Sequence, residues 1–525
     1  MQSARRPRIP ISVRSLGIFL RESLSRRPEH QAPYLLDRQT LKETERKLTS
    51  RHIQGLCLVL LGCLIFSLYG YHQQTRYALS YDFKTVYVGA RCLIDGCDPY
   101  DAAQTEAAYL RHNGNQLDHL PIRPFNTVYP PSSLFLVTPL ALLHYPAARA
   151  IWLTLGIVLF SVAALCMADL CRGRRALWVH ALLALFVVSS TLLVMLGQPS
   201  LYSISLVVIA AWSFLRRRSL ALGVLAFAIS LTLKPQTGAF VWLFFLLSSK
   251  PSSSVPPSSP AAPASPGQPA ARAASRRRLA LYTMAATLLL SVPGVLLAHH
   301  HPASAHWPQE LDRSLQVLSA PQGENHPGPR NGSAIANLQA LFALWRDSPR
   351  FYNLLALATF LPLFLAWLYL LPRRPPGPGA HLAPPPWGVS DADLMALAAA
   401  ATLSLLPIYH QQYDTRLLLL IFPAAAALAS RYRRLGTVAL ALSVLATINL
   451  GHTFVRLLNR LVPQAAESLA QRGMNLHGSL WLTFDRPLPL TLLLLSCFFL
   501  YAMFRVSTDA DGKTEPAQNG LPADG

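Results

Sequence analysis

IWLTLGIVLFSVAALCMADL (Ile151–Leu170), CRGRRA (Cys171–Ala176) and LWVHALLALFVVSSTLLVML (Leu177–Leu196) stand in a row in this chain. The two apolar stretches contain no Lys, Arg or Glu, and their one acid, Asp169, sits at an end. About 20 apolar residues span the hydrocarbon core of a bilayer. Inside that core every backbone polar group must be paired within the segment, so each stretch reads as a membrane-crossing helix. Arg172, Arg174 and Arg175 between them place the turn on the cytoplasmic side.

The same alternation extends in both directions. Of 525 residues, 52% are hydrophobic and 14% charged, where a soluble domain carries roughly 25% charged residues. The formal charge of +21 could suggest nucleic acid, but the Lys and Arg residues cluster in short loops between apolar runs and no recognition motif for DNA or RNA is present. The reading is an all-α polytopic membrane protein of about 12 transmembrane helices, with large outer loops bearing interfacial helices and both termini inside. Helix 1 is expected near Ile53–Tyr71. Ser132–Leu143 is too short to cross and is bounded by Pro131 and Pro146, so it is expected to re-enter and pack on protein. Ser219–Leu233 and Gln236–Leu247 meet at Lys234-Pro235, where proline removes a donor and breaks the helix into a hairpin.

The chain divides into five regions: a basic cytoplasmic segment (1–52), helices with a first outer loop at 72–131 (53–247), a Pro/Ser/Ala-rich linker (248–278), helices with a second outer loop at 300–350 (279–504), and a disordered tail (505–525). In the first region Ile11, Val13, Leu16, Phe19 and Leu20 fall on one helical side, which fits a helix lying on the inner membrane surface as well as a disordered basic tail. Of seven cysteines only Cys92 and Cys97 fall in an aqueous loop. A periplasmic location would allow a disulfide between them, although a five-residue spacing on a helix is awkward for the bridge.

No inverted repeat with paired broken helices, the transporter sign, is visible. The polar loops, Lys234-Pro235 and the loop around His410 all converge on the outer face, so function is sought there. In the first outer loop, Phe83, Val86, Tyr87, Ala90, Leu93 and Ile94 recur at helical spacing and Gly96 closes the pattern. Asp82 stands at the head of this amphipathic helix, where an aspartate serves either as a cap or as a reactive carboxylate. A second short helix is expected after Asp98-Pro-Tyr-Asp101, and Tyr129-Pro-Pro131 closes the loop.

These residues carry a resemblance. Asp82-Phe83 with Tyr87, Ala90-Arg91, Gly96 and Pro99-Tyr100, then Tyr129-Pro-Pro131 with Thr138-Pro-Leu140, Gly197-Gln198, Lys234-Pro235 and Asn331-Gly-Ser333 resemble, in order and spacing, glycosyltransferase family 87. These are polyprenyl-phosphate-mannose-dependent mannosyltransferases of the GT-C superfold. The resemblance covers roughly Tyr71 to Ala424. It implies a GT-C-like bundle in an inner cell membrane that moves a hexose, mannose by family, from a polyprenyl phosphate to an acceptor hydroxyl on the periplasmic face, in one inverting displacement. The partners it implies are the lipid-linked donor, a glycolipid, glycan or protein acceptor, and the bilayer; neither cofactor nor metal is called for.

Asp82 matches the family's general base. Glycosidases need a second carboxyl group to protonate an alcohol leaving group, whereas a phosphate leaves as a stable anion and asks for positive charge instead. Lys234 is the first candidate for that charge, Arg416 the second and Arg91 the third; a snorkelling lysine at a helix end is the plainer reading of Lys234. Tyr87, Gln198 and Asn331 are the implied substrate contacts. His410 is a further catalytic candidate, in Pro407-Ile-Tyr-His-Gln-Gln-Tyr-Asp414, but the related sequences carry a His-His pair and this chain has one histidine there. His299-His-His301 cannot converge on a metal from one helix face. A flippase for lipid-linked saccharide and a non-catalytic envelope scaffold are the competing readings. The first would want polar residues at mid-membrane, and the second would have no use for the Asp82 helix.

Overall fold

The computed structural model describes residues 38–77, 80–113, 127–171, 177–248, 268–321, 323–328, 332–373, 389–447 and 486–511. The chain divides into one unit over Met1–Thr49 and another over Ser50–Gly525. Only helical backbone from Arg38 is described in the first, so the basic stretch around Ile11–Leu20 lies outside the described residues. The second unit holds the membrane-crossing segments and the functional site.

Helix α1 (Arg38–Tyr77) is followed by α2 (Tyr81–Asp95) and α3 (Ala102–Asn113), then by the short α4 (Pro131–Phe135) and α5 (Thr138–Ala141). Next come α6 (Tyr145–Leu170), α7 (Leu177–Val188), α8 (Thr191–Leu196), α9 (Ser200–Arg216), α10 (Leu220–Leu233) and α11 (Pro235–Leu247). The second half holds α12 (Gln268–His300), α13 (Trp307–Ser319), α14 (Leu338–Phe342), α15 (Pro349–Leu370) and α16 (Asp391–Ser404). A 3-10 stretch (Gln412–Ile421) runs into α17 (Phe422–Arg431), and α18 (Arg433–Thr447) and α19 (Pro487–Asp511) complete the described chain. The described residues contain no strand; one antiparallel bridge joins Ile335 to Gln411.

Seven segments among the described residues are long and apolar enough to cross a membrane: Ser50–Gln73, Tyr145–Leu170, Leu177–Leu196, Arg276–His300, Pro349–Leu370, Gln412–Arg431 and Pro487–Thr508. Three shorter apolar helices, α9, α10 and α11, stand among them. The protein is an all-α polytopic membrane protein. Leu60, Leu64 and Leu68 on α1, Leu288 and Leu289 on α12, and Leu354, Leu357 and Leu361 on α15 are exposed. Apolar rows of that extent suit a hydrocarbon solvent and not water.

Local sequence sets the breaks. Pro131, Pro235 and Pro349 open their helices, where the missing N–H is no loss. The stretch Ser132–Leu143 forms two helices of five and four residues instead of a span. Ser190 separates α7 from α8 within one candidate span. The last helix continues past Phe504 to Asp511, so the expected tail begins later than the first polar residues suggest. Most of the linker (249–267) lies outside the described residues.

Tertiary ties hold the two ends. At the end away from α2, Asp169 Oδ2 accepts from Arg216 Nε and Trp212 Nε1, both at 2.8 Å, fastening α6 to α9. Arg276 pairs with Asp393 at 2.9 Å between α12 and α16. At the other end, the buried Arg486 guanidinium donates to the carbonyls of Pro327 and Gly328 at 2.7 Å and to that of Ala340. The head of α19 therefore holds the second large loop in place.

Candidate active site

The site is built from the ends of five segments. The backbone of Ser80 takes a positive φ of 28°, its N–H donates to the Met195 carbonyl at 3.1 Å, and its own carbonyl receives the Lys84 N–H at 2.9 Å. Ser80 is thus the cap position of α2, and Asp82 is the second residue of the helix. Phe83, next along, is buried in an aromatic stack with Trp152 and Tyr145, ring centres 4.9 and 5.9 Å away. Trp152 Nε1 donates to the Gly197 carbonyl at 3.0 Å. Gly197 has φ +66°, and a Cβ there would come within 2.9 Å of the Phe83 Cβ. Glycine alone lets the turn and the helix head approach this closely. Gly197→Ala is therefore expected to cost about 1–2 kcal/mol of backbone strain before the clash is counted, and to lower activity by misplacing Gln198. Thermal unfolding together with transfer rate checks this.

Gln198 is buried, and its side chain hydrogen-bonds Asp82. Its Oε1 has no partner among the described residues, which is consistent with the amide nitrogen facing the carboxylate. Burial raises the Asp82 carboxyl to about 7, against the opposing pull of Gln198 and of the Lys234 charge. A carboxyl balanced near neutrality is what a general base requires.

Within electrostatic reach of Asp82 stands a buried polar array. Lys234, between α10 and α11, donates from Nζ to Asp414 Oδ1 and to Ser200 Oγ, both at 2.7 Å. Ser200 Oγ also donates to Asp414 Oδ1 at 2.6 Å. The other oxygen of Asp414 accepts the Gln411 N–H at 3.2 Å and faces His410 Nδ1 at 3.2 Å. A carboxylate only accepts, so Nδ1 carries the proton in that contact. His410 is fully buried, and its Nε2 has no partner among the described residues. Two of the three Lys234 hydrogens are committed, which leaves one for a ligand. Asp414 thus positions an ammonium and an imidazole side by side.

Three tyrosines and a glutamate surround the array. Lys234 Nζ lies 5.4 Å from the Tyr413 ring centre. Burial, followed by the charges of Asp82 and Asp414, holds the Tyr129 phenol well above its ordinary range, and burial does the same for Tyr409. The charge of Glu324, exposed on the second large loop, also reaches Asp82 and Tyr409.

The sequence candidates separate accordingly. Asp82, Gln198, Lys234 and His410 come together. Arg416 is buried two residues beyond Asp414; one terminal nitrogen donates to the Ser189 carbonyl at 2.8 Å, its guanidinium stacks 5.1 Å from the Phe186 ring, and the other terminal nitrogen has no partner among the described residues. Arg91 bonds the Ala141 carbonyl at 3.0 Å and pairs with Asp95 at 3.2 Å, which ties α2 to α5. The Tyr87 hydroxyl donates to the Leu143 carbonyl at 2.7 Å from within the aromatic core. Asn331 lies outside the described residues. Cys92 and Cys97 are joined by a disulfide, with Gly96 between them in the left-handed conformation closing α2.

Sequence reasoning missed Asp414 and Ser200. Their signal was faint: Ser200 follows Gly197-Gln-Pro, and Asp414 sits four residues after His410. Neither spacing means anything until α9 and the 3-10 stretch are packed together.

No curated protein and no solved structure matches the chain. Residues 127–383 match the family model described as glycosyltransferase family 87. The match takes in α4 and α5, the Gly197-Gln198 turn and the Lys234-Pro235 break, so this part of the chain is similar to glycosyltransferase family 87, and the match supports a membrane glycosyltransferase.

Proposed function

We propose that the protein transfers a hexose, mannose by family, from a polyprenyl phosphate to an acceptor hydroxyl on the outer, periplasmic face of a cell membrane. The observation that carries this reading is one near-neutral carboxyl, Asp82, within the electrostatic reach of the buried Lys234 ammonium that Asp414 holds. Asp82 takes the proton of the acceptor hydroxyl as its oxygen bonds to the anomeric carbon. The bond from that carbon to the phosphate oxygen breaks on the opposite face, and the electron pair leaves with the polyprenyl phosphate. The configuration inverts because there is one displacement.

The leaving phosphate gains one negative charge. The free hydrogen of Lys234 would meet it, with the Arg416 guanidinium adding positive charge nearby. Preorganised charge in a water-poor site does this without reorganising at the moment of reaction. The Cys92–Cys97 bridge supports an oxidising compartment for the α2 end, and the arginine turns at the other end support a cytoplasmic location there.

The test is transfer by purified protein in lipid with radiolabelled mannose supplied either on polyprenyl phosphate or on a nucleotide. Label reaching a product from the lipid donor only is the expected result. Transfer from the nucleotide sugar would overturn the donor assignment. Movement of labelled lipid across the bilayer without transfer would favour the flippase reading.

A further inference from the structure

The second large loop is folded around one acid. As the chain leaves α13, the Gly323 N–H donates to the Ala320 carbonyl at 2.7 Å and the Asn325 N–H to the Leu318 carbonyl at 2.9 Å. The His326 N–H then returns to the Gly323 carbonyl at 3.2 Å, which makes Glu324 the first corner residue of a tight turn. The turn has a fixed base. The His326 ring lies between the Ser319 carbonyl at 3.1 Å and Asp347 Oδ2 at 2.9 Å, and Arg486 holds the carbonyls of Pro327 and Gly328. His326, Pro327 and Gly328 are buried, while Glu324 is exposed at the tip.

Beyond the turn the loop is fastened to the segment that leads into Asp414. The Ala336 N–H donates to the His410 carbonyl at 2.7 Å and the Leu338 N–H to the Leu406 carbonyl at 3.1 Å. Gln339 Nε2 donates to the Pro407 carbonyl at 2.8 Å. The loop is thereby anchored beside the site, and the Glu324 charge reaches Asp82 and Tyr409. Two carboxyl groups in mutual reach oppose each other's ionisation, so their nearness costs stability and does not add to it.

Resting on the transferase reading above, we propose that Glu324 is an acceptor-specificity residue: it receives a second hydroxyl of the acceptor, next to the one that attacks, and excludes acceptors that are anionic at that end. The ligand class is a neutral polyol. Charge sorts the two substrates. The donor's phosphate is an anion and goes to the Lys234 ammonium, while the acceptor brings a hydroxyl to Asp82. A carboxylate beside Asp82 accepts hydrogen bonds on two oxygens, and its repulsion rejects the wrong ligand as effectively as its hydrogen bonds hold the right one. A lone alcohol would leave Glu324 unused, and a phosphate or uronate would meet its charge.

The test uses full-length protein in nanodiscs with two water-soluble probes, methyl α-mannoside and methyl α-mannosiduronate, which differ by a carboxylate at C6. Binding is read by saturation-transfer NMR, and transfer from polyprenyl-phosphate mannose is read separately. The wild type should bind the mannoside about tenfold more tightly than the uronate. Glu324→Gln keeps an accepting oxygen and loses the charge, so that preference should shrink about tenfold. Glu324→Ala should weaken mannoside binding about tenfold and raise the acceptor KM to match, with the donor KM unchanged. Asp312→Asn, at an exposed acid of α13, is the control for losing one negative charge from the same loop and should change neither. A wild type that binds both probes alike, or binds neither, would overturn the proposal. So would a preference unmoved by Glu324→Gln, or a donor KM that rises together with the acceptor KM, since the change would then be to the loop as a whole. Glu324-dependent binding of the mannoside without transfer from any polyprenyl donor would sustain the specificity role and sink the donor assignment.

Discussion

Asp82→Asn should abolish transfer, lowering kcat by at least about 100-fold while the protein keeps its fold, since general-base catalysis contributes on the order of 10²–10⁴. Asparagine has the same shape and can still hydrogen-bond Gln198, so the helix head should stay docked on the Gly197 turn. Asp82 occupies the second position of α2 and is not its cap, so the substitution removes no cap bond. Melting temperature and detergent elution profile check the fold, and single-turnover transfer checks the chemistry. A variant as active as the wild type would leave Asp82 with a structural role only.

The same residue is expected to set the pH profile. Its carboxyl is raised by burial to about 7, and the reactive form is the carboxylate. Below that value most molecules carry the proton and cannot accept another, so the rate should fall about tenfold per pH unit on the acid side. Above it the rate should level off. An unperturbed carboxyl near 4 would give a flat profile across neutrality, which distinguishes the two cases in one titration of kcat.

Lys234→Met should be among the most destabilising single changes in the chain. It leaves Asp414, which is fully buried, facing Ser200 without its cation. Removing one partner of a buried pair costs about 3–5 kcal/mol, largely because the remaining charge is stranded. Adding Asp414→Asn should restore much of that loss, since the amide is neutral and can still accept from Ser200. Activity should not return: the double variant lacks the ammonium, and stabilisation of the departing phosphate of about 10²-fold or more goes with it. Recovery of stability without recovery of transfer would separate the pair's structural contribution from its chemical one. Recovery of both would remove Lys234 from the donor site.

The membrane character and the helix breaks were legible because each is encoded locally. A run such as Leu177–Leu196 has no other stable state in a bilayer than a helix. Pro235 ends α10 whatever lies nearby, and Phe83, Val86, Tyr87 and Ala90 mark the buried side of α2 by their spacing alone. Asp82 was found as the one acid at the head of that helix, and Lys234 as a lysine at a break in apolar sequence.

Which cations share the site was not local. Arg91 and Arg416 look alike in sequence, each a lone arginine near a loop, yet Arg91 is engaged by the Ala141 carbonyl and Asp95 while Arg416 is buried near Asp414. Tyr87 matched a family position and turned out to spend its hydroxyl on Leu143. Asp414, 180 residues from Lys234 in sequence, joins it only because α9, α10 and the 3-10 stretch meet at one end of the bundle. Which segments are apolar enough to cross a membrane, and where they break, could be read from residue order alone, since hydrophobicity and proline act within a few residues. Which charges meet became visible only in the folded bundle, because an ion pair depends on distance in space, and that is set by how helices remote in sequence pack.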